Sequence, residues 1–156
     1  MTGNFSVRHM LIALDTSPAA RAGLGVALRL AARLEADVES LFVEDGRLLD
    51  LCGAGGLPTA HVNALTGRAE AVDAHLMEAG LRAQAAQLAA ELSRETAVLR
   101  RACRLRSVRG PVVATLIAAA AASDLLVVSR RLRHVGAVLE ATTRGAAISV
   151  LVLPEK

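Results

Sequence analysis

Apolar positions follow two rhythms along this chain. His9 to Leu14, Val38 to Val43, Asp124 to Val128 and Ile148 to Leu153 are short, nearly continuous apolar runs with polar flanks. Such runs suit strands buried on both faces of a parallel sheet. After the first of them, Val26, Leu30 and Leu34, with Leu24, Leu28 and Ala31, give a broad helical face reaching about Leu34. Ser17 suits the N-cap of that helix and Pro18 its first turn. Strand, helix, strand with short connections is a parallel crossover unit, almost always right-handed.

The rhythm lapses from Glu44 to Thr66. Leu48, Leu49 and Leu51 fit one helical turn, and Cys52-Gly53-Ala54-Gly55-Gly56-Leu57-Pro58 then looks superficially like a phosphate loop. No Gly-Lys-Ser/Thr follows and no strand immediately precedes, so 44–66 reads as a long connector. Helical spacing returns from about Arg68 to Arg94, with Met77, Leu81, Leu88 and Leu92 on one stripe. Val98 to Val108 alternates arginine with apolar residues, as in a third strand at a sheet edge with one charged face. Gly110-Pro111 opens another helix, with Pro111 at its first position, running to Ala122. A short helix is expected at about Val138 to Arg144, before the closing strand. Strand and helix alternate throughout, which predicts a doubly wound α/β sandwich with five parallel strands.

Composition narrows the picture. A chain of 156 residues suits one domain spanning 1–156. Phe5 and Phe42 are the only aromatic residues, so the core is built from Leu, Val, Ile and Ala. No apolar run approaches the ~20 residues of a membrane span. The first ten residues lack the apolar region of a secretory signal, so a cytoplasmic protein without a membrane partner is the expectation. The net charge of +3 and pI near 9.6 look basic, but Lys156 is the only lysine and every other basic residue is arginine. Binders of single-stranded nucleic acid add aromatic stacking platforms to positive charge, and a chain without Trp or Tyr offers none. Cys52 and Cys103 belong to no metal or CxxC spacing.

Candidate chemistry concentrates after the fourth strand, at Ser129-Arg130-Arg131-Leu132-Arg133-His134-Val135-Gly136-Ala137-Val138. In an open parallel sheet the loop leaving the carboxyl end of such a strand is where ligands sit. No nucleophile elbow, Ser-His-Asp order or metal-ligand cluster is visible, and His9, His61, His75 and His134 are scattered. A non-catalytic protein is expected. A phosphoacceptor receiver is excluded, because it needs a second acidic site after the third strand and a late internal lysine.

With the five strands placed, the chain resembles the universal stress protein family over nearly its whole length. The resemblance rests on Met10-Leu-Ile-Ala-Leu-Asp15-Thr-Ser-Pro18, Leu41-Phe-Val-Glu-Asp45 followed by Leu48-Leu49, Val108-Arg-Gly-Pro111, Ala122-Ser-Asp-Leu-Leu-Val-Val128 and Val150-Leu-Val-Leu153. It implies strand order 3-2-1-4-5, a homodimer through the last strand, and two kinds of member, one binding ATP and one binding no nucleotide. ATP-binding members carry a loop of the form Gly, two residues, Gly, nine residues, Gly-Ser/Thr. Here Ser129 and Leu132 replace the first two glycines, three residues stand where nine belong, and Gly136-Ala137 lacks the hydroxyl. The resemblance maps a nucleotide site onto Ala13, Asp15 and Val43, with Ser129, Arg130, Arg131, Gly136, Ala137 and Val138 from the loop. Each has a plainer alternative: Asp15 can cap the next helix, Val43 can be core, and the arginines can face water.

The expectation is therefore a dimeric stress-response protein acting through regulatory protein partners, with no cofactor because its ATP loop is degenerate. The alternative is a protein that holds a nucleotide or other phosphate ligand, ATP included, on its arginine-rich loop, where guanidinium groups can grip phosphate oxygens. Ile148, Val150 and Val152 alternate with Ser149, Leu151 and Leu153, so both faces of the last strand are largely apolar, which is the physical argument for pairing it with a second copy.

Overall fold

The structure, a computed structural model, describes residues 6–45, 60–62, 69–71, 74–100, 102–145 and 148–154. In chain order these form β1 (His9–Leu14), α1 (Pro18–Leu34), β2 (Asp37–Glu44), β3 (Ala60–Val62), β4 (Ala69–Ala71), α2 (Ala74–Leu99), β5 (Cys103–Arg109), α3 (Val112–Ala120), β6 (Leu125–Ser129), α4 (Val135–Gly145) and β7 (Ser149–Leu153). Five strands make one parallel sheet in the order β5-β2-β1-β6-β7. This is the expected 3-2-1-4-5 arrangement of a doubly wound α/β fold.

The apolar runs are continuous because both faces of the sheet are covered. Met10, Ile12 and Leu14 point into a core shared with Ala20, Leu24 and Leu28 of α1 and Leu92 of α2. Leu11 and Ala13 point the other way, to Val112, Leu116 and Ala120 of α3 and Val138 of α4. Ser17 caps α1 as expected, its hydroxyl accepting from the Ala20 N–H at 3.1 Å with Pro18 in the first turn. The buried face of α1 runs through Ala20, Leu24, Ala27, Leu28 and Ala31, whereas Val26 and Leu34 are exposed. The apolar stripe is thus narrower than the periodicity suggested.

Asp124 joins β6 to the start of β1. Its Oδ2 accepts from the Arg8 and His9 N–H groups at 2.8 and 2.9 Å, while its own N–H donates to the His9 carbonyl at 2.9 Å. Those two backbone donors hold the carboxyl below the usual carboxylate range.

Several boundaries differ from expectation. Residues 69–71, assigned to a helix by spacing, pair antiparallel with 60–62 in a small hairpin of their own, and α2 begins at Ala74. Its far end extends through Val98, which had read as the first residue of a strand. The Ser93 and Thr96 hydroxyls bond back to the Ala89 and Ser93 carbonyls, so residues of low helix propensity are accommodated. The helix stops at Arg100, which takes a left-handed φ of 51°. Pro111 occupies the N-cap of α3 and not its first position, with φ −62° and ψ 122°. The fourth helix starts at Val135, three residues earlier than expected. The helical turn expected at Leu48, Leu49 and Leu51 and the glycine-rich run 52–58 lie outside the described residues. Among the described residues no helix is long and apolar enough to cross a membrane.

Candidate functional site

A cavity of about 480 Å³ opens at the carboxyl ends of β1 and β2, the position where this topology places ligands. Leu14, Asp15 and Ser17 form one wall, Phe42 to Asp45 another, and Met77, Leu81 and Gln84 of α2 a third. Val112 and Leu116 of α3 and Leu132 and Arg133 of the loop after β6 complete it. Among the described residues its charged lining is Asp15, Glu44 and Asp45 against Arg133. Glu44 is committed to its neighbours: Oε1 accepts from the Ser107 hydroxyl at 2.8 Å, and Oε2 faces the Arg109 guanidinium at 3.3 Å.

The expected site residues divide sharply. Asp15 and Val43 line the cavity. Ala13 and Val138 do not; both are buried in the core beneath α3 and α4. Ser129 is buried too, and its hydroxyl accepts from the Arg131 N–H at 3.2 Å, bracing its own loop. Arg130 is exposed, and Arg131 flanks a different groove, beside Pro18, Gly23 and Leu153. Gly136 and Ala137 fall in the first turn of α4, away from the cavity lining. A side chain on Gly136 would meet nothing, so neither space nor backbone requires a glycine there.

Asp15 is held at both oxygens. Oδ1 accepts from the Ser17 N–H at 2.9 Å, a local turn that leads into α1, and Oδ2 accepts from the Arg133 N–H at 3.4 Å. The rest of the loop is similarly closed on the protein. The Arg130 N–H donates to the Leu153 carbonyl at 3.1 Å, Leu132 to the Ser129 carbonyl at 2.9 Å, and Val135 to the Leu132 carbonyl at 3.0 Å. A phosphate loop works by pointing successive backbone N–H groups at anionic oxygens. In this loop the N–H groups of residues 130 to 133 and 135 point at the protein's own acceptors. The left-handed turn it needs is made by His134, with φ 65°, and not by a glycine.

Arg133, one of the arginines of the candidate phosphate loop, lines the cavity, whereas Gln84 and Thr16 were not among the candidates. Gln84 carried a signal, since it falls on the stripe of Met77, Leu81 and Leu88 where a core-facing residue would be apolar. Among the described residues, no group of three His, Cys, Asp or Glu could hold a metal ion. Cys103 is a free thiol on β5, bonded to the Ser40 hydroxyl at 3.2 Å, and burial pushes its pKa up. A thiol held protonated is a poor nucleophile.

Comparison of the coordinates with solved structures identifies the architecture. A protein of the universal stress protein family from Burkholderia pseudomallei superposes with a TM-score of 0.68 at 23% identity, over 97% of this chain and 98% of that one. The chain has the universal stress protein fold. Universal stress protein UspA from Lactobacillus plantarum matches with a TM-score of 0.64 at 18% identity, over 96% and 99% of the two chains. A universal stress protein solved in complex with cAMP gives 0.59 at 15% identity, over 96% and 98%. No family model and no curated protein matches the chain by sequence.

Proposed function

We infer that this is a non-catalytic, cytoplasmic stress-response protein of the universal stress type that does not hold ATP in the manner of the family's ATP-binding members. It acts as a homodimer, through protein partners. The observation that carries this reading is the closed loop: the N–H groups that would cradle phosphates are spent on Ser129, Leu132, Leu153 and Asp15. The cavity's charge agrees, because among the described residues three carboxylates and one guanidinium line a space that a triphosphate would have to enter. Calorimetric titration of the purified protein with Mg-ATP is expected to give no binding heat at micromolar concentrations. Retention of ATP through purification, or micromolar affinity, would overturn the reading.

The dimer rests on β7, which pairs only with β6 among the described residues and carries no charge. Val152 is exposed, and on the opposite face of the strand Leu153 borders a largely apolar groove with Pro18, Ala22, Gly23 and Val26 of α1 and Arg131.

One observation favours the alternative, a phosphate-bearing ligand on the arginine-rich loop: Arg133 does reach the cavity wall. Since one structure of similar fold was solved with cAMP, titration with cAMP, AMP and inorganic phosphate tests this directly. Binding that Arg133→Ala abolishes would establish the alternative, and absence of binding would remove it.

A further inference from the structure

The other edge of the sheet suggests a partner chemistry that the β7 dimer does not use. Strand β5 is seven residues long and pairs only with β2 among the described residues. Its two faces differ. Cys103 and Leu105 pack partly into the core beneath α1 and α2. Arg104 and Arg106 project from the opposite face, and both are exposed. Arg106 meets Glu39 at 3.0 Å, whereas Arg104 pairs with no carboxylate among the described residues. Among the described residues, the outer edge of the strand therefore has no neighbouring strand, with two arginines at alternate positions on one face and partly buried Cys103 and Leu105 on the other.

We propose that the outer edge of β5 binds an extended acidic peptide by strand addition. The peptide carries Asp or Glu at alternate positions, facing Arg104 and Arg106, and aliphatic residues between them, continuing the surface of Cys103 and Leu105. Strand addition takes its affinity from main-chain hydrogen bonds and its specificity from every second side chain. The arginines supply that specificity, and they also prevent a second copy of β5 from pairing there, since like charges opposed across strands are unfavourable. The proposal extends the partner-binding half of the proposed function. Its failure would leave the nucleotide reading and the β7 dimer untouched, because neither involves this edge.

The test is fluorescence anisotropy of the full-length protein with a labelled, capped seven-residue peptide alternating valine and glutamate. Saturable binding is expected, weakening as salt is raised because the arginines are exposed. The double variant Arg104→Glu/Arg106→Glu should weaken it at least about tenfold and gain affinity for the matching valine–lysine peptide. That gain also shows that the variant is folded, and Arg104→Gln/Arg106→Gln gives an independent, milder loss. A control peptide with its central valine replaced by proline keeps the charge but loses strand pairing, and should bind much more weakly. No binding at about 1 mM peptide, where RT ln Kd is only about −4 kcal/mol, would overturn the proposal. So would undiminished binding by the charge-reversed variant, or equal binding of the proline peptide.

Discussion

The sheet ends in two edges of opposite character. Strand β7, Ser149–Leu153, is uncharged and aliphatic, while β5, Cys103–Arg109, carries arginine at 104, 106 and 109. Each is bonded to a single neighbour among the described residues, so each presents a row of backbone groups to its surroundings. Backbone geometry alone makes both adhesive, and side chains decide what adheres. An apolar edge suits a second copy of itself across a two-fold axis, which closes the assembly at two chains. A basic edge repels its own copy and, as proposed, takes an acidic partner. One sticky edge and one guarded edge give a finite particle, whereas two sticky edges would give a polymer.

The largest expected effect follows from erasing that difference. Arg104→Val with Arg106→Val turns β5 into a likeness of β7, so chains paired through β7 as proposed can add at the other edge. Light scattering is expected to show particles growing with concentration to many times the mass of the parent species. A double variant that stays at the parental size would mean that something other than charge guards β5.

The converse change puts a charge on the sticky edge. Val152 is 36% exposed in the single chain, so the lysine of Val152→Lys stays solvated there and would be buried unpaired only in the proposed β7 dimer. A buried unpaired charge costs roughly 3–5 kcal/mol, enough to raise the dimer dissociation constant by about a hundredfold or more. Sedimentation should then report monomers at micromolar concentration with an unchanged circular dichroism spectrum. A variant that remains a dimer would place the interface elsewhere.

Asp124 is the control between the edges, since its hydrogen bonds run to Arg8 and His9 and so tie the start of β6 to the start of β1. Its carboxyl is held low by the Arg8 and His9 N–H groups, so the folded pKa lies below the unfolded one. The resulting stability is present above the unfolded carboxylate value, near 4, and is lost as pH falls through the folded value. Asp124→Asn keeps an acceptor but no charge, and should flatten that part of the acid-unfolding profile while leaving association unchanged. An identical acid profile would show that the two backbone bonds do not discriminate the charged form.

The two edges also mark how far the sequence alone could be read. Both were legible: arginine alternating with apolar residues within 98–108 and aliphatic residues at 150–153 are local patterns, and local patterns survive without coordinates. The strand order, and Asp15 and Val43 as site candidates, came through the family resemblance and not from local pattern. The ends of α2 were not legible. Val98 is apolar and β-branched and looked like strand, yet it sits 81% exposed in the last helical turn. The three-residue strands at 60–62 and 69–71 are too short to show a period. In the candidate site, what escaped was the use of the loop's amides. Arg133 meets Asp15 across 118 positions of sequence, and no spacing rule reports where a backbone N–H points. The missing glycines signalled a lost phosphate loop, but its closure on Asp15 and Leu153 is visible only in three dimensions.

The smallest expected effect separates what the β5 arginines do for the fold from what they do for its edge. Arg106 and Glu39 stand 3.0 Å apart with side chains 45% and 38% exposed. At that exposure solvent screens the pair, so Arg106→Ala should cost less than about 1 kcal/mol in urea unfolding, and a double-mutant cycle with Glu39→Ala should give a coupling no larger. Salt should shrink it further. The Arg109 interaction with Glu44 and Glu78 offers an internal reference, since Glu44 is the more buried partner and its loss also strands the Ser107 hydroxyl. If the Arg106–Glu39 coupling instead exceeded about 2 kcal/mol, well beyond the range of exposed pairs, the arginine would be a structural clamp. The contrast with β7 would then reflect how each strand is held and not what each is left free to bind.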